Sequence, residues 1–334
     1  MKYLRELFII LSAFPLTVQG AEASYQDLAR HSILEQLDYL NQLVSELDEE
    51  SMPHETKILR KSGIGKMKLL LDLFAYAYPK ERDDPWRIAR QNLDIGYEIV
   101  GNYKDLWDAL DLEISEIEPR NIPYNFNEVD QLRREVLEWK DSYRMIRDDR
   151  DLENYFDNPA SQLVSRKKKK LSHLTWGATE KSPKGSLSGL GNLRLLAAEL
   201  ANTIENNLTK VDELKNIHSN QESEDEFHNI RKRARIILKL NRFFPDLFEN
   251  TPLNQKALIA LETLVDQFGD INDNILRHHK AEKKGDKNGM KTLEKIIDKE
   301  WKEVTQFIKT RKIAKLVRDF EAQLELDLKY CCSE

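Results

Sequence analysis

Apolar residues recur at helical spacing along most of this chain, and this periodicity limits the possible folds more than any other feature. A clear example is the segment YQDLARHSILEQLDYLNQLVSELDEE, which starts at Tyr25 and places its leucines close to one stripe. No segment alternates apolar and polar residues as a half-buried strand would. Gly and Pro account for only 12 and 10 of the 334 residues, which disfavours a loop-rich β-fold. The sequence therefore predicts an all-α protein.

Two periodic regions flank a segment of different composition. Residues 157–192 are rich in Ser, Gly and Lys and lack helical periodicity, so we interpret them as a linker. The regions on either side, residues 24–156 and 193–330, each contain about four predicted helices. We therefore expect two helical bundles in series.

Two interruptions and one long helix are predicted within these halves. One helix is predicted over Trp86–Val100 and another over Lys104–Ile117, with a break between them at Gly101. The acidic segment NQESEDE, residues 220–226, is expected to interrupt the helical pattern before the next helix begins. A single long amphipathic helix is expected through residues 301–320.

The N-terminus has the pattern of a targeting segment. Two basic residues precede the apolar run from Leu7 to Val18, and the small residues of QGAEA follow it. The run is short for a membrane span, which favours export with cleavage near Gly20 or Ala23 over an uncleaved anchor. We therefore assign residues 1–23 to a signal peptide, and expect an exported protein, periplasmic or secreted, with no membrane span after cleavage.

A dense group of cations stands out in a chain whose net charge is -6. The segment FHNIRKRARIILKLNRFF runs from Phe227 to Phe244, and on a helix six of its seven basic side chains share a sector of roughly 100°. These stripe residues are His228, Arg231, Lys232, Arg235, Lys239 and Arg242. A solvated amphipathic face is the ordinary interpretation. No acid within the segment offers i,i+4 pairing, so repulsion among the cations favours an anionic ligand instead.

Both halves repeat one order of features: a basic helix, at least one Pro, an apolar run, and a Gly followed four residues later by an Asp. The Gly–Asp pairs are Gly101 with Asp105 and Gly269 with Asp273. An internal duplication explains this order. For the two aspartates we expect helix capping or pairing with an arginine, not catalysis.

The segment FHNIRKRARIILKLNRFFPDLF resembles the hallmark helix of CHAD domains, the conserved histidine α-helical domains, whose pattern begins His-x-x-Arg and continues with basic residues at helical spacing. The segment LVDQFGDINDNI is similar to the Leu-Gly-x-x-x-Asp segment that follows this helix in the family. The resemblance extends from Ser24 to Tyr330. It implies two pseudo-symmetric four-helix bundles around a basic groove, and non-catalytic binding of inorganic polyphosphate.

The first half departs from this pattern, because no His begins its basic helix. Matching the basic residues equates Lys57, Arg60, Lys61 and Lys68 with His228, Arg231, Lys232 and Lys239. Matching the apolar residues instead equates Phe74 with Phe244, and the two registers differ by one residue. Gly63 and Gly65 would absorb this slip by bending the helix.

The expected polyphosphate ligands combine three groups. They are the six stripe residues, then Lys57, Arg60, Lys61 and Lys68 of the first half, and finally Arg277, Lys280 and Lys284. His228 would donate a hydrogen bond when protonated, so binding would strengthen on the acid side of neutrality. We interpret the run Lys167–Lys170 as solvated.

Other ligands and functions remain open at this point. Another linear polyanion would suit the stripe equally well, and nucleic acid is a less expected ligand of the same kind. The alternative function is an exported scaffold or interaction module that recognises an acidic protein partner, whose identity is unknown.

Other chemistry has weak support in the sequence. His278 and His279 are adjacent, point in different directions on a helix, and are expected at the surface. Cys331 and Cys332 are too close in sequence to form an ordinary disulfide with each other. We predict no catalytic residue, no metal site and no cofactor.

Overall fold

The computed structural model describes residues 23–48, 52–74, 85–116, 126–148, 187–214 and 220–330. Helices dominate these residues and no strand occurs among them, so the all-α prediction is confirmed. The chain divides into two compact units: the described residues of the first lie in 24–148, and those of the second are residue 23 and residues in 187–330. Several predictions fall outside the described residues: the signal peptide up to residue 22, most of the linker, the Lys167–Lys170 run and the two cysteines.

The described residues of the first unit form four helices. Helix α1 spans Tyr25–Glu46, and helix α2 joins the segments Met52–Ile58, Leu59–Ile64 and Gly65–Leu73, the middle one being a π-helix. Helix α3 spans Pro85–Glu116 and helix α4 spans Phe126–Asp148. Helix α2 packs against α1 and α3, and α3 packs against α4. The unit therefore has its own helical core.

Helix α3 is continuous where the sequence predicted two helices separated at Gly101. Gly101 is buried inside the helix, and a Cβ atom added there would lie 2.8 Å from Cζ of Arg60. The absent side chain thus provides space for an arginine from α2. The prediction of a break was wrong because this glycine serves a close approach between helices instead of ending one.

Five α-helices occur among the described residues of the second unit. They are α5 at Gly189–Thr209, α6 at Gln221–Phe243, α7 at Pro252–Lys284, α8 at Lys287–Thr310 and α9 at Ile313–Tyr330. Helix α5 packs against α6 and α9, while α7 packs against α6, α8 and α9. The core includes Phe227, Phe268 and Trp301; the ring centroids of the two phenylalanines are 4.8 Å apart. One core thus joins α6, α7 and α8.

The expected long final helix is divided at Lys312. This residue has a φ of 51°, a left-handed conformation that is uncommon for a side chain other than Gly, Asn or Asp. Helix α8 ends before it and α9 begins after it. The division explains why residues 187–330, as far as the structure describes them, form five helices where about four were expected.

Two helices begin earlier than the sequence pattern predicted. Helix α6 starts at Gln221, within the acidic segment that was expected to interrupt the pattern, and the Asn220 side chain accepts a hydrogen bond from Ser223 N–H at 3.2 Å. Acids in a first helical turn interact favourably with the helix dipole. Helix α5 starts within the segment assigned to the linker, where Ser188 Oγ accepts from Gly191 N–H at 3.1 Å.

Candidate functional site

In the first unit, an arginine of α2 lies across a glycine of α3. The Arg60 Nη1 atom is 3.1 Å from Asp105 Oδ1, and the guanidinium lies beside Gly101. The same guanidinium carbon is 5.0 Å from the centroid of the Tyr97 ring. The expected pairing of Asp105 with an arginine is therefore confirmed.

The second unit repeats this arrangement. Arg231 of α6 lies against Gly269 of α7, and its Nη2 atom would be 3.2 Å from a Cβ added to that glycine. Burial and the neighbouring Arg235 lower the pKa of Arg231, while Asp273, Asp266 and Asp270 oppose the shift. An arginine, a facing glycine and an aspartate four residues after the glycine thus occur together in both units.

The π-helical segment of α2 accounts for the difference between the two sequence registers. Phe74 follows Arg60 by 14 residues, whereas Phe244 follows Arg231 by 13. Both phenylalanines cap their helices, and each N–H donates to the carbonyl four residues earlier at 2.9 Å. Between Arg60 and Phe74, the Gly65 N–H donates to the Arg60 carbonyl, five residues earlier. The wider turn accommodates the additional residue, next to the two glycines that were predicted to absorb it.

A glutamine of α1 supports this wider turn. The buried Gln36 side chain donates to the carbonyls of Ser62 and Gly63, at 2.9 and 3.1 Å. A Cβ atom on Gly63 would lie 3.0 Å from methyl groups of Leu40 and Leu43. Gln36 thus supplies hydrogen bonds to two carbonyls of the turn, and Gly63 lets α1 pack closely against it.

The stripe of α6 divides into an exposed part and a half-buried part. His228 and Arg231 are half-buried, whereas four cations face solvent: Lys232, Arg235, Lys239 and Arg242. The exposed four recur at intervals of three and four residues, so they form a row about 15 Å long on one face. In the described part of the chain, no carboxylate lies within 4.0 Å of the charged groups of Lys232, Arg235 and Arg242.

His228 has an acidic neighbour that the sequence segment did not contain. Because α6 begins at Gln221, Glu224 lies one turn before His228, and its Oε1 atom is 3.5 Å from Nε2 of the imidazole. The segment Phe227–Phe244 suggested that the stripe has no i,i+4 partner. Glu224, which precedes that segment, provides one for His228. Burial lowers the pKa of His228, so protonation requires a lower pH than for a solvated imidazole.

The first-unit cations are more strongly compensated. Lys68 Nζ is 2.6 Å from Asp94 Oδ1 and 4.5 Å from the centroid of the Tyr97 ring, on which Arg60 also lies. The remaining predicted cations of α2, Lys57 and Lys61, are exposed. The structure therefore brings Arg60 and Lys68 together around one aromatic ring, each with its own carboxylate.

The third predicted group lies farther along α7. Arg277, Lys280 and Lys284 are exposed, and Arg277 donates to the Asn274 side chain at 3.3 Å. Lys284 is about 22 Å along the helix axis from Gly269, where Arg231 packs. Arg277 is nearer, about 12 Å from Gly269 along the same axis, so the three cations extend from there toward the C-terminal end of α7.

The surface prediction for His278 was wrong. Its exposure is only 4%, because α8 covers this side of α7, and its Nε2 atom is 3.4 Å from Glu294 Oε1. Among the residues that the structure describes, no group of His, Cys, Asp or Glu side chains could hold a metal ion. No described helix combines the length and apolar character that a membrane span requires.

Several partners of the candidate residues were missed by sequence reasoning. Asp94 and Tyr97 precede Gly101 by seven and four residues on α3, which places all three on one helical face. This spacing could have predicted that Asp94 and Tyr97 face the basic residues of α2 together with Gly101. Gln36 lacked such a signal, because its role depends on how α1 packs against the π-helical turn.

Comparison of the chain with models of protein families, with curated proteins and with solved structures finds no match.

Proposed function

We propose that this protein binds inorganic polyphosphate, or a similar linear polyanion, without catalysing a reaction. The observation that carries the proposal is the exposed row of Lys232, Arg235, Lys239 and Arg242 on α6. A linear polyanion requires a row of cations and gains affinity by releasing its condensed counterions. In this row the two arginines would each contact two phosphate oxygens, while the two lysines would act as point charges.

We further propose that the two units are pseudo-symmetric repeats of one helical bundle and that the chain is a CHAD domain. The resemblance of the α6 segment to the family's hallmark helix is one support. The recurrence of an arginine over a glycine, with an aspartate four residues later, is the second. The extra helix of the second unit would then result from the break at Lys312.

Within this proposal, each inner arginine positions the cations of its own helix. Arg231 is half-buried beside Asp266, Asp270 and Asp273, and Arg60 is paired with Asp105. Carboxylates already compensate both guanidinium groups in part. Their main effect would be to fix the orientation of the helix that carries the exposed cations.

A protein partner is the second candidate, and one observation favours it. Asp266, Asp270 and Asp273 are exposed on α7, near enough to Arg231 to influence its pKa. A positive row beside negative groups matches a protein surface of mixed charge, and it would weaken the attraction for a uniformly negative polymer. This partner would bind in a way that depends on the three aspartates.

The test is a titration with polyphosphate, with DNA and heparin as competitors. Changing Arg235 and Arg242 to Ala should weaken binding by a few kcal/mol, at about 1.5 to 3 kcal/mol for each charge-assisted contact. The dependence of affinity on salt should also flatten, because fewer counterions are released. Changing both residues to Lys should cost less, since the charge remains and only the bidentate geometry is lost.

Arg311 and Arg318 provide the matched control. Both are exposed arginines of the second unit, outside the α6 row. Their double change to Ala removes the same charge and should leave polyphosphate affinity nearly intact. An equal loss in this control, or no measurable binding by the unaltered protein, would reject the polyanion proposal in favour of a protein partner.

A further inference from the structure

Helices α7 and α8 meet in a hairpin whose end has no buried core. Gly285 ends α7 in a left-handed conformation, with a φ of 70°, and Asp286 Oδ1 accepts a hydrogen bond from Gly289 N–H at 2.9 Å as α8 begins. Between His278 and Ile297, which are both buried, residues 279–296 include no buried residue. The end of this hairpin therefore projects from the unit.

This projecting end, which we call the lysine tip, carries a concentration of one residue type. Its six exposed lysines are Lys280, Lys283, Lys284, Lys287, Lys291 and Lys295. Two of its three acids are engaged, since Asp286 caps α8 and Glu294 contacts His278. Within the described residues, no carboxylate lies within 4.0 Å of the six ammonium groups. The lysine tip is therefore strongly positive.

Apolar side chains accompany these lysines. Ile296 is 39% exposed, and Met290 and Leu293 are only partly covered. A helical hairpin without a buried core gains little stability from packing, so its folding relies on its caps and on helix propensity. A surface in which lysines surround partly exposed apolar groups has the composition of peripheral membrane-binding segments.

We propose that the lysine tip docks on an anionic lipid surface. The lysine ammonium groups would contact lipid phosphates, and Ile296 with its apolar neighbours would reach the boundary between headgroups and acyl chains. A projecting end meets a broad surface more readily than it tracks a flexible polymer. It also contains no arginine for bidentate contacts with base edges, which makes a lipid surface a better fit than a nucleic acid.

This proposal does not depend on polyphosphate binding. The lysine tip begins at Lys280, about 16 Å along α7 from Gly269, where Arg231 packs, so variants of the tip leave the exposed row of α6 in place. Each surface can therefore be tested while the other serves as a control.

The experiment measures co-sedimentation of the full chain with vesicles. One set contains equal parts of phosphatidylglycerol and phosphatidylcholine, and the other contains phosphatidylcholine alone. We expect binding to the anionic vesicles only, falling as salt is added. The triple variant Lys283→Gln, Lys284→Gln and Lys287→Gln should lower the partition coefficient about a hundredfold.

A second triple variant guards against loss of the hairpin itself. Lys280→Gln, Lys291→Gln and Lys295→Gln leave the residues next to the turn unchanged, and should also lower vesicle binding while circular dichroism retains its helical signal. The matched control changes three other exposed lysines to Gln: Lys256, Lys302 and Lys315. The control and the Arg235→Ala, Arg242→Ala variant should stay within about threefold of the unaltered chain, because their charges lie away from the docked surface.

Three outcomes would overturn the proposal. The first is failure of the unaltered chain to bind anionic vesicles. The second is an equal loss in the lysine control. The third is a larger loss of affinity for duplex DNA than for vesicles in the tip variants, which would assign the lysine tip to nucleic acid.

Discussion

At the scale of single residues, two glycines of α3 face different kinds of neighbour. A Cβ atom on Gly96 would lie 2.2 Å from the Trp139 ring, which is buried and held by a hydrogen bond from Nε1 to the Asn92 carbonyl at 3.1 Å. A Cβ atom on Gly101 would instead meet the end of the Arg60 side chain, which is partly exposed and flexible. Only the second neighbour can move at low cost.

We therefore expect Gly→Ala substitutions at these two positions to differ in their effect on stability. Gly96→Ala should lower the free energy of unfolding by about 1 to 3 kcal/mol, because the indole must shift within a packed core. Gly101→Ala should change it by less than about 1 kcal/mol, since better helix propensity offsets the loss of an exposed ion pair. Urea denaturation measures both. Similar destabilisation by the two variants would show that Arg60 is fixed as rigidly as Trp139.

At the scale of helices, periodicity predicted where most elements lie but missed what neighbouring helices do to them. Gly101 and the acidic segment before Phe227 have the local pattern of breaks, yet packing and capping keep both helical. Lys312 carries no sequence signal for its left-handed conformation. The exposed row of α6 followed directly from spacing along one helix. The nearby aspartates of α7, Asp266, Asp270 and Asp273, could not be predicted in this way, because their position beside α6 depends on how the two helices pack.

The π-helical turn of α2 gives a prediction at the same scale. Gln36→Leu removes the donor for the carbonyls of Ser62 and Gly63, and should lower the free energy of unfolding by about 1 to 3 kcal/mol. Gln42→Leu is the matched control on α1, because Gln42 is exposed and donates to Glu46 of its own helix. Chemical denaturation should show little change for this control. Equal effects of the two variants would mean that the turn does not need Gln36.

At the scale of the whole molecule, each unit has its own core. In the first, the Tyr25 ring packs on Phe74 and its hydroxyl donates to the Leu73 carbonyl. In the second, Phe227 and Phe268 pack with Trp301. We expect a fragment of residues 187–330 to fold alone, with a helical circular dichroism spectrum and one cooperative thermal transition. A fragment that melts without a transition would show that its core is incomplete.

The extra residue in α2 bears on how this helix can change its exposed side chains. A one-residue insertion in a regular helix turns everything on one side of it by about 100° relative to the other. In α2 the π-helical turn takes up that rotation, so Arg60 keeps its place over Gly101 while Phe74 keeps its place in the core. In such a helix, the directions of the side chains before the turn and of those after it are set separately. Insertions and deletions at the turn can then change the direction of the basic side chains on one side of it while the apolar contacts on the other side stay in place.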